Sequence, residues 1–259
     1  MNTSLPLSRR DVILARLARG EQIIAAAIAI EFDISEDAVR RDLRALAAEG
    51  KCRRVYGGAL PLLSPSRPIS ERIGQAADRK KTLAMVGANM VGQGELVFLD
   101  SGSTNLAIAG LLPKTLDLTV ATNSIDIAAA VMRHGGIPLI VIGGMVDPVV
   151  GGSVDARAVA QLDELNIDRC FVGACAVSGT SGLGVNEHAD AIFKRKLLQR
   201  STVSIVLATS EKFKGRVPHR IGGPKDIDAL VVEQDLDPAE VQALTAAGYA
   251  LLTPSDTGA

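Results

Sequence analysis

Six runs of aliphatic residues, each long enough to cross a sheet once, alternate with helical stretches over most of this chain. They are ELVFLD (95–100), LTVAT (118–122), PLIVIGG (138–144), DRCFVGA (168–174), VSIVLAT (203–209) and DALVVE (228–233). Helix-like segments near 73–91, 104–112, 124–134, 154–164, 187–199 and 238–247 fill the gaps. A strand that is apolar at successive positions leaves no face for water, so both of its faces must be covered. Helices inserted between such strands let them run parallel and supply that cover. The pattern predicts a doubly wound, mostly parallel α/β domain over 69–259.

The first 60 residues have a different character. They hold ten basic residues (Arg9, Arg10, Arg16, Arg19, Arg40, Arg41, Arg44, Lys51, Arg53, Arg54) and eight acidic ones, on a chain whose net charge is −1. Six of the bases fall in 40–54 against only two acids. A local basic stripe on a near-neutral chain is the footprint expected for phosphate contacts. Periodicity fits three short helices. Ser8 is placed to cap the first, with Val12, Ile13, Leu14 and Leu17 on one face and Gly20 as its stop. The second spans 24–32. Ser35 caps the third, with Glu36 and Asp37 in its first turn, where the helix dipole favours acids. Val39, Leu43, Leu46 and Ala47 form its buried stripe, and Gly50 ends it. Ala38 stands where a capping box would place Glu.

Arg40 and Arg44 lie one turn apart, away from Leu43 and Leu46, with Arg41 beside them. An arginine fork there suits a guanine edge or a phosphate in a major groove. KCRRVYGGAL (51–60) then reads as a short β-wing, with Arg53 and Arg54 along the DNA backbone and Gly57-Gly58 in a tight turn. The plainer reading of these charges is a solvated helix face. LPLLSPSRP (60–68) holds three prolines and two serines without periodicity, a linker composition. The boundaries that follow are a winged helix-turn-helix over 1–60, a linker over 61–68 and the α/β domain beyond.

In the α/β domain, Asp100, Ser101, Gly102, Ser103 and Thr104 fall at the carboxyl end of one strand and the first turn of the next helix. Backbone N–H groups, hydroxyls and the helix dipole converge on an anion at such a place, and open α/β sheets bind ligands along that edge. The turn is neither GxGxxG nor a Walker A loop, so it favours neither a dinucleotide nor ATP. Its alternative role is a plain helix cap. Asn123 and Ser124 follow the second strand, Gly144 the third, and Lys212 lies just beyond VLATS. Glu187, Asp190 and Lys194 belong to an amphipathic helix on which Lys194-Arg195-Lys196 reads as the solvent face.

Hydrophobic residues make up 47% of the chain and its mean hydropathy is +0.23, ample for a buried core. The longest apolar runs, 23–30 and 137–146, fall short of the roughly 18 residues of a membrane span. The start, MNTSLPLSRRD, has no apolar h-region, so a cytoplasmic protein without a membrane is expected. Three cysteines (Cys52, Cys170, Cys175) and three scattered histidines show no metal-ligand spacing, and no metal or cofactor is expected.

The strings RRDVILARLARG and FDISEDAVRRDLRALAAEGKCRRVYGGAL resemble the DeoR family of bacterial repressors across nearly all of 8–60. DSGST, TNS, IGG, D-x-x-FVGA, GLG (182–184) and EKF (211–213) follow in the order of that family's sensor domain, which is similar to the ribose-5-phosphate isomerase fold. The resemblance implies sequence-specific binding of double-stranded operator DNA through Ser35, Glu36, Arg40, Arg41, Arg44, Arg53, Arg54 and Tyr56. It implies a small phosphorylated, sugar-type effector held by Asp100, Ser101, Gly102, Ser103, Thr104, Asn123, Ser124, Gly144 and Lys212. It also implies a repressor of sugar metabolism that works as a homo-oligomer. Four places depart from the family pattern: Ala38-Val39 for Thr-Ile, Tyr56 for histidine, Thr209 for aspartate, and LVVEQ for a final strand ending in Thr-Asp. No operator sequence or effector identity is therefore carried over. The rival reading is a sugar-phosphate isomerase with an accessory domain, using Asp100, Glu187 and Lys212 as acid–base groups. An isomerase, however, has no use for a basic helix and wing. A third reading makes the N-terminal part a protein-interaction module.

Overall fold

The computed structural model describes residues 8–18, 21–62 and 67–257. The chain divides into two compact units, one built from residues up to 64, the other from residue 65 onward apart from 213–216.

The first unit runs α1 (Arg9–Ala18), β1 (Ile23–Ile24), α2 (Ala25–Glu31), α3 (Glu36–Ala48), β2 (Arg53–Val55) and β3 (Gly58–Leu60). Ser8 and Asp11 cap α1 reciprocally: the serine Oγ accepts the Asp11 N–H at 3.2 Å, and the Asp11 carboxylate accepts the Ser8 N–H at 3.1 Å. Ile13, Leu17, Ile28, Val39, Leu43 and Leu46 close the core between the helices. The expected second helix begins one residue late because Ile23 and Ile24 pair antiparallel with β3, giving the sheet order β1-β3-β2. The wing turn is also shifted. Tyr56 and Gly57 make the turn, with Gly57 at φ +79°, while Gly58 is already paired with Val55. Gly58 is needed for space: a Cβ there would lie 1.8 Å from the Ile23 carbonyl oxygen. The wing tip also satisfies the start of α2, since the Gly57 carbonyl accepts the Ala25 N–H at 2.8 Å. The expected stop of α1 at Gly20 and the centre of the expected linker, 63–66, lie outside the described residues.

The second unit runs α4 (Ile69–Ile73), α5 (Ala77–Asn89), β4 (Leu96–Leu99), α6 (Ser103–Ala109), β5 (Thr119–Thr122), α7 (Ile125–His134), β6 (Leu139–Val141), β7 (Val146–Asp147), β8 (Gly152–Ser153) and α8 (Ala156–Gln161). It continues through β9 (Ile167–Phe171), β10 (Ala176–Ser178), β11 (Gly182–Val185), α9 (His188–Arg200), β12 (Ser201–Ala208), β13 (His219–Gly222), β14 (Ala229–Val232), α10 (Pro238–Ala247) and β15 (Leu251–Leu252). Seven of these strands form one sheet in the order β15-β14-β12-β9-β4-β5-β6, every pair parallel.

Side chains alternate across that sheet. Val97, Leu99, Val120, Phe171, Ile205, Leu207 and Val231 share a core with Leu83 and Val86 of α5, Ile108 of α6 and Ile127 and Val131 of α7. Phe98, between Val97 and Leu99, turns to the opposite face and meets Phe193 of α9 with ring centroids 6.1 Å apart. Helices thus cover both faces of the inner strands, which is why those are apolar throughout, while the edge strand β6 leaves Ile140 and Val141 exposed. From β4 the chain steps outward through β5 to β6, then returns to lay β9 on the other side of β4 and steps outward again. The direction reverses between β4 and β9, and the carboxyl ends of those two strands flank the crevice that such a reversal leaves.

Two features depart from the expected pattern. The helix expected over 73–91 is α5 and starts late, at Ala77: residues 74–76 form a turn in which Ala76 adopts φ +50°, separating it from the short α4. A small antiparallel sheet, β10-β11-β13, and a β7–β8 hairpin were not expected. Their strands are two to four residues long, too short for alternation to register.

Candidate DNA-reading surface and effector site

In the first unit, α3 turns Val39, Leu43 and Leu46 inward and leaves Arg40, Arg41 and Arg44 exposed. Ser35 caps the helix, its Oγ accepting the Ala38 N–H at 3.3 Å. Glu36 and Arg40 are tied to each other at 2.7 Å, and Asp37 lies 3.4 Å from the same guanidinium. Exposed pairs of this kind contribute little, so Arg40 can exchange its carboxylates for a phosphate. Arg9–Asp42 at 2.5 Å and Arg10–Glu49 fasten α1 to α3. Among the described residues, Arg41, Arg44, Arg53 and Arg54 have no carboxylate partner, so they are cations free for an anionic ligand. Tyr56 stands fully exposed at the wing tip.

In the second unit, the turn after β4 is the centre of a polar cluster at the reversal point. Asp100 is fully buried. Its N–H extends the pairing to β9 by donating to the Phe171 carbonyl at 3.1 Å. Its Oδ2 accepts the Gly173 N–H at 2.8 Å and the Lys194 ammonium at 2.6 Å, and the Ser101 hydroxyl lies 3.5 Å from Oδ1. The Ser101 N–H donates to Asn123 Oδ1 at 3.0 Å. Gly102 precedes α6 with an extended backbone, and a Cβ there would meet nothing closer than 3.8 Å. Ser103 is half-buried, and the buried Thr104 Oγ1 finds no partner among the described residues. Asn105 locks the turn to both strands, its Nδ2 donating to the carbonyls of Asp100 at 2.9 Å and Phe171 at 2.8 Å.

The remaining expected residues divide. Asn123 belongs to the cluster, and its Nδ2 also donates to the Ser153 carbonyl at 3.3 Å. Ser124 caps α7, its Oγ accepting the Ile127 N–H at 3.5 Å. Gly144 serves elsewhere, facing the α8 cap at φ +153°, where a Cβ would come within 2.6 Å of Asp155 Oδ1. Lys212 is half-buried in the turn after β12. Burial brings its ammonium down to about 8, with Arg72 and Lys80 acting in the same direction and Cys175 opposing.

Lys194 is the clear correction. Expected on the solvent face, it is buried and lies 2.6 Å from Asp100 Oδ2 and 2.7 Å from Asp190 Oδ1. Arg195 and Lys196 do reach the surface. Burial alone would lower the Lys194 ammonium; the two carboxylates outweigh it and hold it above its ordinary range. Asp190 is raised to about 6 by burial, with Lys194 opposing and Asp100 adding to the rise. The available signal was the buried period of α9, Asp190-Ala191-Phe193-Lys194-Leu197, in which both charges share the face of Phe193 and Leu197. Gly173 carried no sequence signal, because strand order alone brings it to Asp100, and the same adjacency gives Asn105 its second acceptor, the Phe171 carbonyl.

No group of metal-ligating side chains occurs among the described residues, and no helix among them is long and apolar enough to cross a membrane.

Two family models match the chain: the DeoR-like helix-turn-helix domain over 9–63 and the DeoR C terminal sensor domain over 75–234. The HTH-type transcriptional regulator IolR of Bacillus subtilis (strain 168) is 30% identical over 208 residues, which cover 80% of this chain and 82% of that protein. The HTH-type transcriptional repressor GlcR of the same organism is 27% identical over 253 residues, 96% of this chain and 97% of that one. Ribose 5-phosphate isomerase A from Methanocaldococcus jannaschii shares 20% identity over 52% of this chain and 53% of its own, with a TM-score of 0.39; nothing is carried over from a likeness at that level. The matched parts span both units, and the chain belongs to the DeoR family: it is a transcriptional regulator with an N-terminal DNA-binding helix-turn-helix and a C-terminal sensor domain.

Proposed function

We propose that this protein is a cytoplasmic repressor that binds operator DNA as a homo-oligomer and releases it when a phosphorylated sugar occupies the sensor domain. The observation that supports the effector reading most is the 101–104 turn: a polar, glycine-containing segment at the sheet's reversal point, opening into α6. A phosphate there would accept backbone N–H groups and the hydroxyls of Ser101, Ser103 and Thr104, and Gly102 leaves room for its approach. Lys212 would add charge from the turn after β12. The reading is of binding without turnover. Asp100, the strongest acid–base candidate, is occupied by Gly173 and Lys194, which makes it a structural anchor of the turn.

In the DNA-binding head, Arg40, Arg41 and Arg44 would face the major groove, with Ser35 and Glu36 at the start of the same helix. Arg53, Arg54 and Tyr56 of the wing would track the backbone. Repression is the role named for GlcR, and it suits a head that competes for promoter DNA.

Gly102→Val tests the effector site. The backbone at Gly102 is extended, and a Cβ there makes only ordinary contacts, so the variant should fold and bind DNA as the parent does. Its branched side chain fills the space of the anion, so sugar-phosphate-induced release of DNA should be lost. The measurement is DNA release by a panel of sugar phosphates, parent and variant side by side. Equal release would reduce the turn to a helix cap.

A further inference from the structure

Behind the turn, three ionised groups meet out of reach of water. Asp100 follows β4, and Asp190 and Lys194 lie one turn apart on α9; their exposures are 0%, 5% and 2%. Two carboxylates against one ammonium leave the cluster with a surplus negative charge. Asp100 is satisfied by Gly173, Ser101 and Lys194. Asp190 has less: the Lys194 ammonium, 2.7 Å from its buried Oδ1, is shared with Asp100, and among the described residues that oxygen receives no backbone N–H or hydroxyl. Thr104 Oγ1 is the second buried polar atom of this region without a partner.

A buried carboxylate that must share its one ammonium with a second carboxylate is costly, and removing it would benefit a fold selected for stability alone. What completes the cluster is constrained by its charges. A phosphate is repelled by the surplus negative charge, and among the described residues no group of metal-ligating side chains is gathered there to hold a metal ion. A neutral hydroxyl group fits both neighbours: its proton goes to the carboxylate, and its oxygen accepts the ammonium proton that neither carboxylate uses. A polyol presents several such groups in series.

We propose that Asp190 and Lys194 read the hydroxyl groups of a phosphorylated, polyhydroxylated effector whose phosphate lies on the 101–104 turn. This rests on the effector reading above and assigns the part of the ligand that distinguishes one sugar from another. The Lys194–Asp100 contact makes the two halves one site: the residue that opens the phosphate turn is paired to the ammonium that faces the hydroxyls.

Asp190→Asn is the test, because it keeps the volume and leaves Lys194 and Asp100 as a balanced pair. Calorimetry on the full chain compares inorganic phosphate with a panel of aldose and ketose phosphates. The tightest sugar phosphate of the parent should bind the variant about ten- to a hundredfold more weakly, the range for lost hydrogen bonds to a charged group, with inorganic phosphate unchanged within about twofold. An unchanged sugar-phosphate affinity overturns the proposal, and so does an equal loss for both ligands, which would mean the substitution acts through the phosphate turn. If no sugar phosphate binds the parent, the effector reading falls and this inference with it. Binding by the parent with an indifferent Asp190→Asn sinks the inference alone. Should Asp190→Asn fail to fold, Asp190→Glu moves the carboxylate by one methylene. It should then reorder the affinities within the panel while leaving inorganic phosphate as it was; an unaltered order overturns the proposal.

Discussion

Lys212 is a charge held in a poor place for one. Its ammonium titrates at about 8, against 10.5 in an exposed chain. Between those values the unfolded chain holds the proton and the folded one does not. Stability therefore rises with pH across that window, and this contribution is lost as pH falls through about 8. The charge available to a phosphate follows the opposite course: it is full below about 8 and gone above it. Sugar-phosphate affinity measured by calorimetry should accordingly fall as pH is raised through about 8, and Lys212→Met should bind more weakly at pH 7 and lose that dependence. A parent whose affinity is flat across this range would remove Lys212 from the site.

Elements set the limits of what could be read in advance. Helix α3 was legible because three signals agree: the Ser35 cap, the acids behind it and the Val39-Leu43-Leu46 stripe. The inner strands were legible because both of their faces are buried. The α4–α5 break was not, since Ala76 adopts a left-handed conformation without being glycine. Of the effector site, the turn was legible and its long-range supports were not: Gly173 reaches Asp100 through the adjacency of β4 and β9, and Lys194 reaches it from α9, 94 residues along the chain. Two outcomes belong to the DNA-binding elements. Arg44→Ala should cost about 1–3 kcal/mol on operator DNA and reduce discrimination between sequences. Arg40→Ala should cost less, since Arg40 must first leave Glu36; titration against operator and scrambled duplexes decides. In the wing, Arg53→Ala or Arg54→Ala should weaken both duplexes alike and lower the salt slope by roughly one unit for each lost contact. A loss confined to the operator would contradict a backbone role.

For the whole molecule, regulation means that two binding free energies are linked: an effector that weakens DNA binding by some factor is itself bound more weakly, by the same factor, when DNA is present. The sheet order supplies the fixed part of the sensor, with seven parallel strands and a reversal point whose polar lining is anchored on both sides. The hydroxyl of Thr104 is an exception in that lining, buried and without a partner among the described residues. Thr104→Val conserves volume and removes the orphaned atom, so its ligand-free Tm should equal or exceed the parent's, while sugar phosphates should release its DNA less readily. A lower Tm would show that the hydroxyl is already satisfied. A laboratory population bred only for endurance of heat would then drift toward valine at this position, and its survivors would go on repressing, deaf to the nutrient that should switch them off.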